Sequence, residues 1–200
     1  MEPLTRQKVL TYMSIKNIAI TLLFVNTWVC AQQDLVDAAK TRLKQFVIYD
    51  GSYQKLAYPG GDVDEHRGVC TDVLIRSYRL IGKDLQQLVH EDMGAHFQLY
   101  PQIWGLNKAD SNIDHRRVPN LETFFSRHGK SLIITANPQD YKPGEIVSWR
   151  LDNNLPHIGI VSDVPSPHDP KRMQIIHNIG LGPQLQDMLF DYKIVGHFSY

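Results

Sequence analysis

Cysteine is scarce in this sequence, with two in 200 residues. That is too few for a disulfide scaffold or a four-thiolate zinc site. Charge of one sign is missing as well. Lys and Arg number 21 against 21 Asp and Glu, which argues against nucleic-acid partners and polybasic membrane binding, since both need a one-sided basic excess. No internal repeat, low-complexity tract or long charge block occurs, and no uninterrupted apolar run reaches the roughly 18 residues of a membrane span. What is present is 42% hydrophobic and 21% charged, an ordinary globular make-up in a chain long enough to bury a core without covalent staples.

The first residues read as a targeting segment. Lys16 precedes an apolar run from Ile18 to Val25, and Val29 and Ala31 stand where a signal peptidase reads small residues. Residues 1–31 are therefore expected to be a signal peptide, with Met13 as an alternative start, cleavage before Gln32 and a periplasmic or secreted product. A lipoprotein reading through Cys30 is weaker, because Thr27, Trp28 and Val29 are unlike the residues that precede a lipidated cysteine. Thr21 and Asn26 interrupt the run, so no stable membrane insertion is expected after cleavage. The remaining chain carries 18 basic and 20 acidic residues and one thiol, Cys70.

From residue 32 to Tyr200 the pattern predicts a single α+β domain. Asp34 is expected to cap a helix with Leu35, Ala39, Leu43 and Phe46 on its buried face. A second helix opens at Cys70 and stops at Gly82. Asp84 and Gln87 make a capping-box start for Leu85 to Met93, and Pro119 and Asn120 open a helix ended by Gly129. The second half turns to Ile- and Val-rich runs, predicting strands over 131–135, 145–151, 157–164, 174–180 and 194–200 in an antiparallel meander.

Chemistry points to Cys70. In GVCTDVLIRSYRLIG the thiol falls in the first turn of an amphipathic helix, where free N–H groups and the dipole favour thiolate. The alternative is a small buried hydrophobe. A base is available in His157, which opens the strand HIGIVSD with Gly159 leaving room beside the ring. The next strand, IIHNIG, carries His177 and Asn178 on opposite faces, so one of them can orient the His157 ring.

These residues together resemble the NlpC-type, papain-like cell-wall cysteine peptidases. The match runs in order through Tyr58, Gly60-Gly61, Cys70, PGEIVSW and HIGIVS, over about Tyr58 to Gly180. More narrowly, GVCTDVLIRSYR, VHEDM, NIDHRRVPNL and HIGIVSD look like a bacterial family of unassigned function within that superfamily. The resemblance implies N-terminal helices packed on a C-terminal antiparallel sheet or half-barrel, with Cys70 as nucleophile, His157 as base and His177 as the orienting residue. It also implies substrate binding by Tyr58, which matches a tyrosine lining the cleft. Val69-Cys70-Thr71-Asp72 stands where the superfamily has Asp-Cys-Ser-Gly. Thr71 is thereby a second substrate-binding candidate, while Val69 departs from the residue that holds a peptide's amino end.

Arg116, beside Arg117 in KADSNIDHRRVPNL, is a third candidate, as a clamp for substrate carboxylates; the competing reading is an ion pair holding the loop. Tyr100 and Trp104 read as core. No metal or other cofactor is expected: Asp62, Asp64 and His66 alternate in a loop better read as solvated, and Gly94 stands where a zinc helix starting at His90 would need its second ligand. The function expected is a secreted cysteine hydrolase of amide bonds in peptidoglycan peptides. The alternatives are acyl transfer on the same Cys and His, or a non-catalytic wall-binding or interaction module.

Overall fold

The computed structural model describes residues 32–200, so the expected export segment and Cys30 lie outside the described residues. The fold is α+β, with four helices against a six-stranded antiparallel sheet. Helix α1 spans 32–42. It is already helical at Gln32, so Asp34 lies inside it rather than capping it. Leu35 and Ala39 are buried as the spacing requires, but Phe46 falls beyond the helix and is exposed. A two-residue strand β1 (Ile48–Tyr49) pairs in parallel with β2 (Arg67–Gly68).

Helix α2 (Cys70–Leu80) begins at the expected residue and buries nearly its whole length. Its start is held by the Asp72 carboxylate, which accepts from the Val69 N–H at 2.7 Å. Helix α3 (Leu85–His96) is capped by Asp84, which accepts from the Gln86 N–H; Gln87 turns away to Glu91, so the expected capping box does not close. Helix α4 (Val118–His128) has proline in its first turn and ends before Gly129.

The sheet order is β3 (Lys130–Ser131), β8 (Lys193–Ser199), β4 (Ile146–Arg150), β5 (Pro156–Pro165), β6 (Met173–Asn178) and β7 (Pro183–Gln186). Only β4 to β7 run as the expected meander, because β8 returns to pair with β4 on its other side. The strand expected over 131–135 is reduced to two paired residues, with Ile133 and Ile134 exposed beyond it.

Strand alternation divides the core in two. Ile146, Ile158, Ile160, Ile176 and Phe198 face the helices, packing with Leu74, Leu121 and Phe125. Val147, Trp149, Val161 and Ile175 face the opposite way, where Met188 and Leu189 cover them. Tyr100 joins the helical core as expected, whereas Trp104 is half-exposed beneath the Arg117 guanidinium, 4.1 Å from its ring centroid. No described helix is long and apolar enough to cross a membrane.

Candidate functional site

The buried sheet face that carries Trp149 also carries two histidines. Strand β4 sets Trp149 directly across from His157, and the two rings lie 5.9 Å apart. Parity along β6 places His177 on the same face, and the His157 Nε2 and His177 Nδ1 atoms are 2.9 Å apart in a buried hydrogen bond. The imidazoles meet edge to face. Gly159 makes this possible: a β-carbon there would come within 2.6 Å of the Ile175 side chain and 3.2 Å of the His177 Cβ. Asn178, the other candidate for the orienting role, points to the helical side, toward the Gly68 carbonyl.

Cys70 approaches from the helical face. It is the one free cysteine among the described residues, and it is buried. The paired residues of β5 and β6 stop at Ile160 and Ile176, which frees the Ile158 N–H from the ladder. That N–H instead faces the Cys70 sulfur, as do the N–H groups of Thr71 and Cys70 itself. The thiol thus sits against the peptide that follows His157. In this conformation no hydrogen bond among the described residues joins the thiol to the His157 ring, and the Nδ1 of His157 is the nitrogen that His177 leaves unused.

Electrostatics corrects the expectation of a resting thiolate. Burial pushes the Cys70 thiol up to about 12, and the Asp72 charge adds to this, outweighing the N–H groups that favour the anion. Burial likewise lowers His157 to about 3, assisted by the neighbouring His177, and lowers His177 to about 4, opposed by the nearby Gln186 side chain. All three groups are neutral at pH 7. A helix start shifts a thiol by a fraction of what complete desolvation does.

A tyrosine does contact the thiol, but it is Tyr49 of β1. Its phenol lies beside Cys70, and partial burial together with the nearby thiol and Asp72 pushes it up to about 12. Sequence reasoning missed Tyr49, because its approach depends on the two-residue pairing of β1 with β2 rather than on a local pattern. Tyr58 lies elsewhere, edge-on to His90 of α3 with centroids 4.9 Å apart.

The other two proposed binding residues are structural. Thr71 is fully buried and its hydroxyl donates to the Arg116 carbonyl at 3.2 Å. Arg116 is buried in a two-point pair with Asp72, both contacts 3.0 Å, and its remaining donors reach the Asp50 and Ser52 carbonyls. It has no free edge for a substrate carboxylate. Arg117 is held by Asp114.

Asp62 is taken up by Arg76 and Arg79, and Asp64 caps its own turn at the His66 N–H. Among the described residues no three His, Cys, Asp or Glu side chains are grouped to hold a metal. A cavity of about 870 Å³ is an open groove between α4 and the β3–β8 side of the sheet, lined by Glu122, Arg127, Ile134, Arg150 and Phe198. It reaches Pro156 but neither Cys70 nor the two histidines.

An α+β domain with a helix-start cysteine beside a buried pair of sheet histidines is thus the class that the geometry defines. The chain belongs to the family described as Domain of unknown function (DUF1287), which matches residues 36–200. Uncharacterized protein YijF of Escherichia coli (strain K12) is 54% identical over 166 residues, covering 83% of this chain and 80% of that protein. No solved structure matches.

Proposed function

We propose that the protein is an exported, papain-like cysteine hydrolase that cleaves an amide bond in cell-wall peptides, with Cys70 as nucleophile, His157 as general base and His177 as the residue that orients the base. The observation that carries this reading is the His157–His177 hydrogen bond on the strand whose Ile158 N–H holds the thiol. It fixes one imidazole nitrogen and leaves the other for the sulfur, the division of labour that a thiol–imidazole pair requires.

Because thiol and imidazole are both neutral at rest, the proton moves as the carbonyl is attacked rather than beforehand. The sulfur lies on the helical side of the sheet and the His157 ring on the other, so the start of β5 at Pro156 and His157 must rearrange to bring the Nδ1 to the sulfur, with the Tyr49 phenol moving aside. That nitrogen then takes the thiol proton, the sulfur adds to the carbonyl carbon, and the protonated ring returns the proton to the departing amine. The N–H groups of Cys70 and Thr71 stabilise the oxyanion in this reading. Water resolves the thioester.

The test is incubation of the purified protein with peptidoglycan and mass analysis of the released fragments. New fragments are expected with the native chain and not with Cys70→Ala or His157→Ala. Identical fragment patterns from all three proteins would overturn the proposal.

A further inference from the structure

Two clusters of exposed apolar side chains occur among the described residues. One lines the open groove beside α4. The other consists of two projecting tips beside the thiol: Phe46 and Ile48, followed by Tyr49, and Ile179 with Leu181 in the loop from β6 to β7. Phe46 is 76% exposed and Leu181 86%. The tips abut. Gly182 lies so close to β1's approach that a side chain on it would come within 3.2 Å of the Val47 carbonyl, and its φ of +89° turns the loop there. Tyr49 links this surface to Cys70.

Charge on the first tip is one-sided. Between residues 40 and 56 stand Lys40, Arg42, Lys44 and Lys55 against the single acid Asp50, which Arg67 holds at 2.7 Å; Lys40 is paired with Asp163, also at 2.7 Å, and drops out of that excess. Lys44 and Lys55 are exposed. Of the acids in the loop before β2, Asp62 is taken up by two arginines and Asp64 by its own turn, while Glu65 is exposed. The second tip, residues 179–182, carries no charge at all.

We propose that these two tips are a docking surface for an anionic lipid bilayer, with Phe46 and Leu181 entering the acyl region and Lys44 and Lys55 lying among the headgroups. Protruding apolar side chains flanked by cations suit a deformable, negatively charged apolar phase. The groove beside α4 is lined by none of these residues, and of the apolar tip residues only Ile179 borders the hollow beside β7, so the side chains protrude rather than frame a concavity. Docking is peripheral and independent of Cys70 chemistry. One consequence does rest on the hydrolase reading: the substrate peptide would be presented from the lipid side of the thiol.

The experiment is hydrogen exchange on the full chain, with and without phosphatidylglycerol vesicles, followed by vesicle flotation. Slower exchange is expected over 43–50 and 178–184, and Phe46→Ser with Leu181→Ser should weaken vesicle partitioning roughly tenfold or more. Phosphatidylcholine vesicles should bind more weakly than phosphatidylglycerol, and Cys70→Ala should dock as the native chain does. Unchanged exchange in both segments, or slowing confined to the groove residues 131–134, would overturn the proposal, whether or not the double variant folds. Equal binding to the two lipids would remove the role given to the lysines. Loss of peptide cleavage with docking intact would count against the hydrolase reading alone.

Discussion

Arg116 shows how a single side chain changes meaning once its surroundings are known. In the sequence it is half of an arginine pair in a polar loop; in the structure it neutralises Asp72, the acid that also caps the helix bearing Cys70. Removing one member of a buried pair leaves the other charge uncompensated, at a cost of about 3–5 kcal/mol. Arg116→Met should therefore lower the urea midpoint sharply, with Arg116→Lys intermediate because an ammonium cannot make both contacts. A substrate clamp would instead raise KM with the midpoint unmoved. Cys70 gives a second expectation at this scale. With its thiol raised to about 12 by burial, alkylation by iodoacetamide, followed at its own peptide, should be much slower at pH 8 than for a free cysteine. Tyr49→Ala, which uncovers the sulfur, should accelerate it.

At the scale of elements, β5 and β6 carry the site, and their close approach depends on Gly159. Gly159→Ala places a methyl against Ile175 and His177, so it should cost roughly 1–3 kcal/mol and separate the two imidazoles, read as a changed His157 resonance in proton NMR. Much of this arrangement was legible beforehand. The helical spacing after Cys70 and the Ile-rich runs of β5 and β6 are strong periodic signals, and parity already separated His177 from Asn178.

What escaped was of two kinds. Strand β7, Pro-Gln-Leu-Gln, has no strand-like composition and forms because β6 offers it an edge. Tyr49 meets Cys70 through a contact 21 positions away in sequence, created by a two-residue pairing that no local periodicity encodes. The thiol's protonation was misjudged for a related reason: a helix start is visible in sequence, whereas complete desolvation is a property of the packed core.

Across the whole molecule, buried groups held neutral set a pH window for stability. His157, His177 and His115 are lowered to about 3, 4 and 4 by burial. The unfolded chain therefore takes up protons below about pH 6.5 that the folded chain refuses, and stability falls as pH drops from there toward 3. Asp92, held well below the usual carboxylate range by Arg127 and further by Tyr100 and His128, adds to the loss at the acid end. On the alkaline side the raised thiol works in the other direction: its contribution is complete below about pH 8.5 and declines toward 12. Urea midpoints measured from pH 4 to 10 should peak between about 7 and 8, with each of the three histidines contributing a loss on the order of 3 kcal/mol by pH 4. A flat profile between pH 4 and 7 would contradict the assignment of the three histidines as buried and neutral.

The place of β8 in the sheet bears on how the chain emerges during synthesis. Strand β8, the last in order among the described residues, sits between β3 and β4, so until residues 193–199 leave the ribosome, β4 presents an unpaired edge and the helical core lacks Phe198. The β4 to β7 ladder with both site histidines can form early, but the sheet is incomplete until residues 193–199 have emerged. A chain stopped at Tyr192 should accordingly be recovered in aggregates.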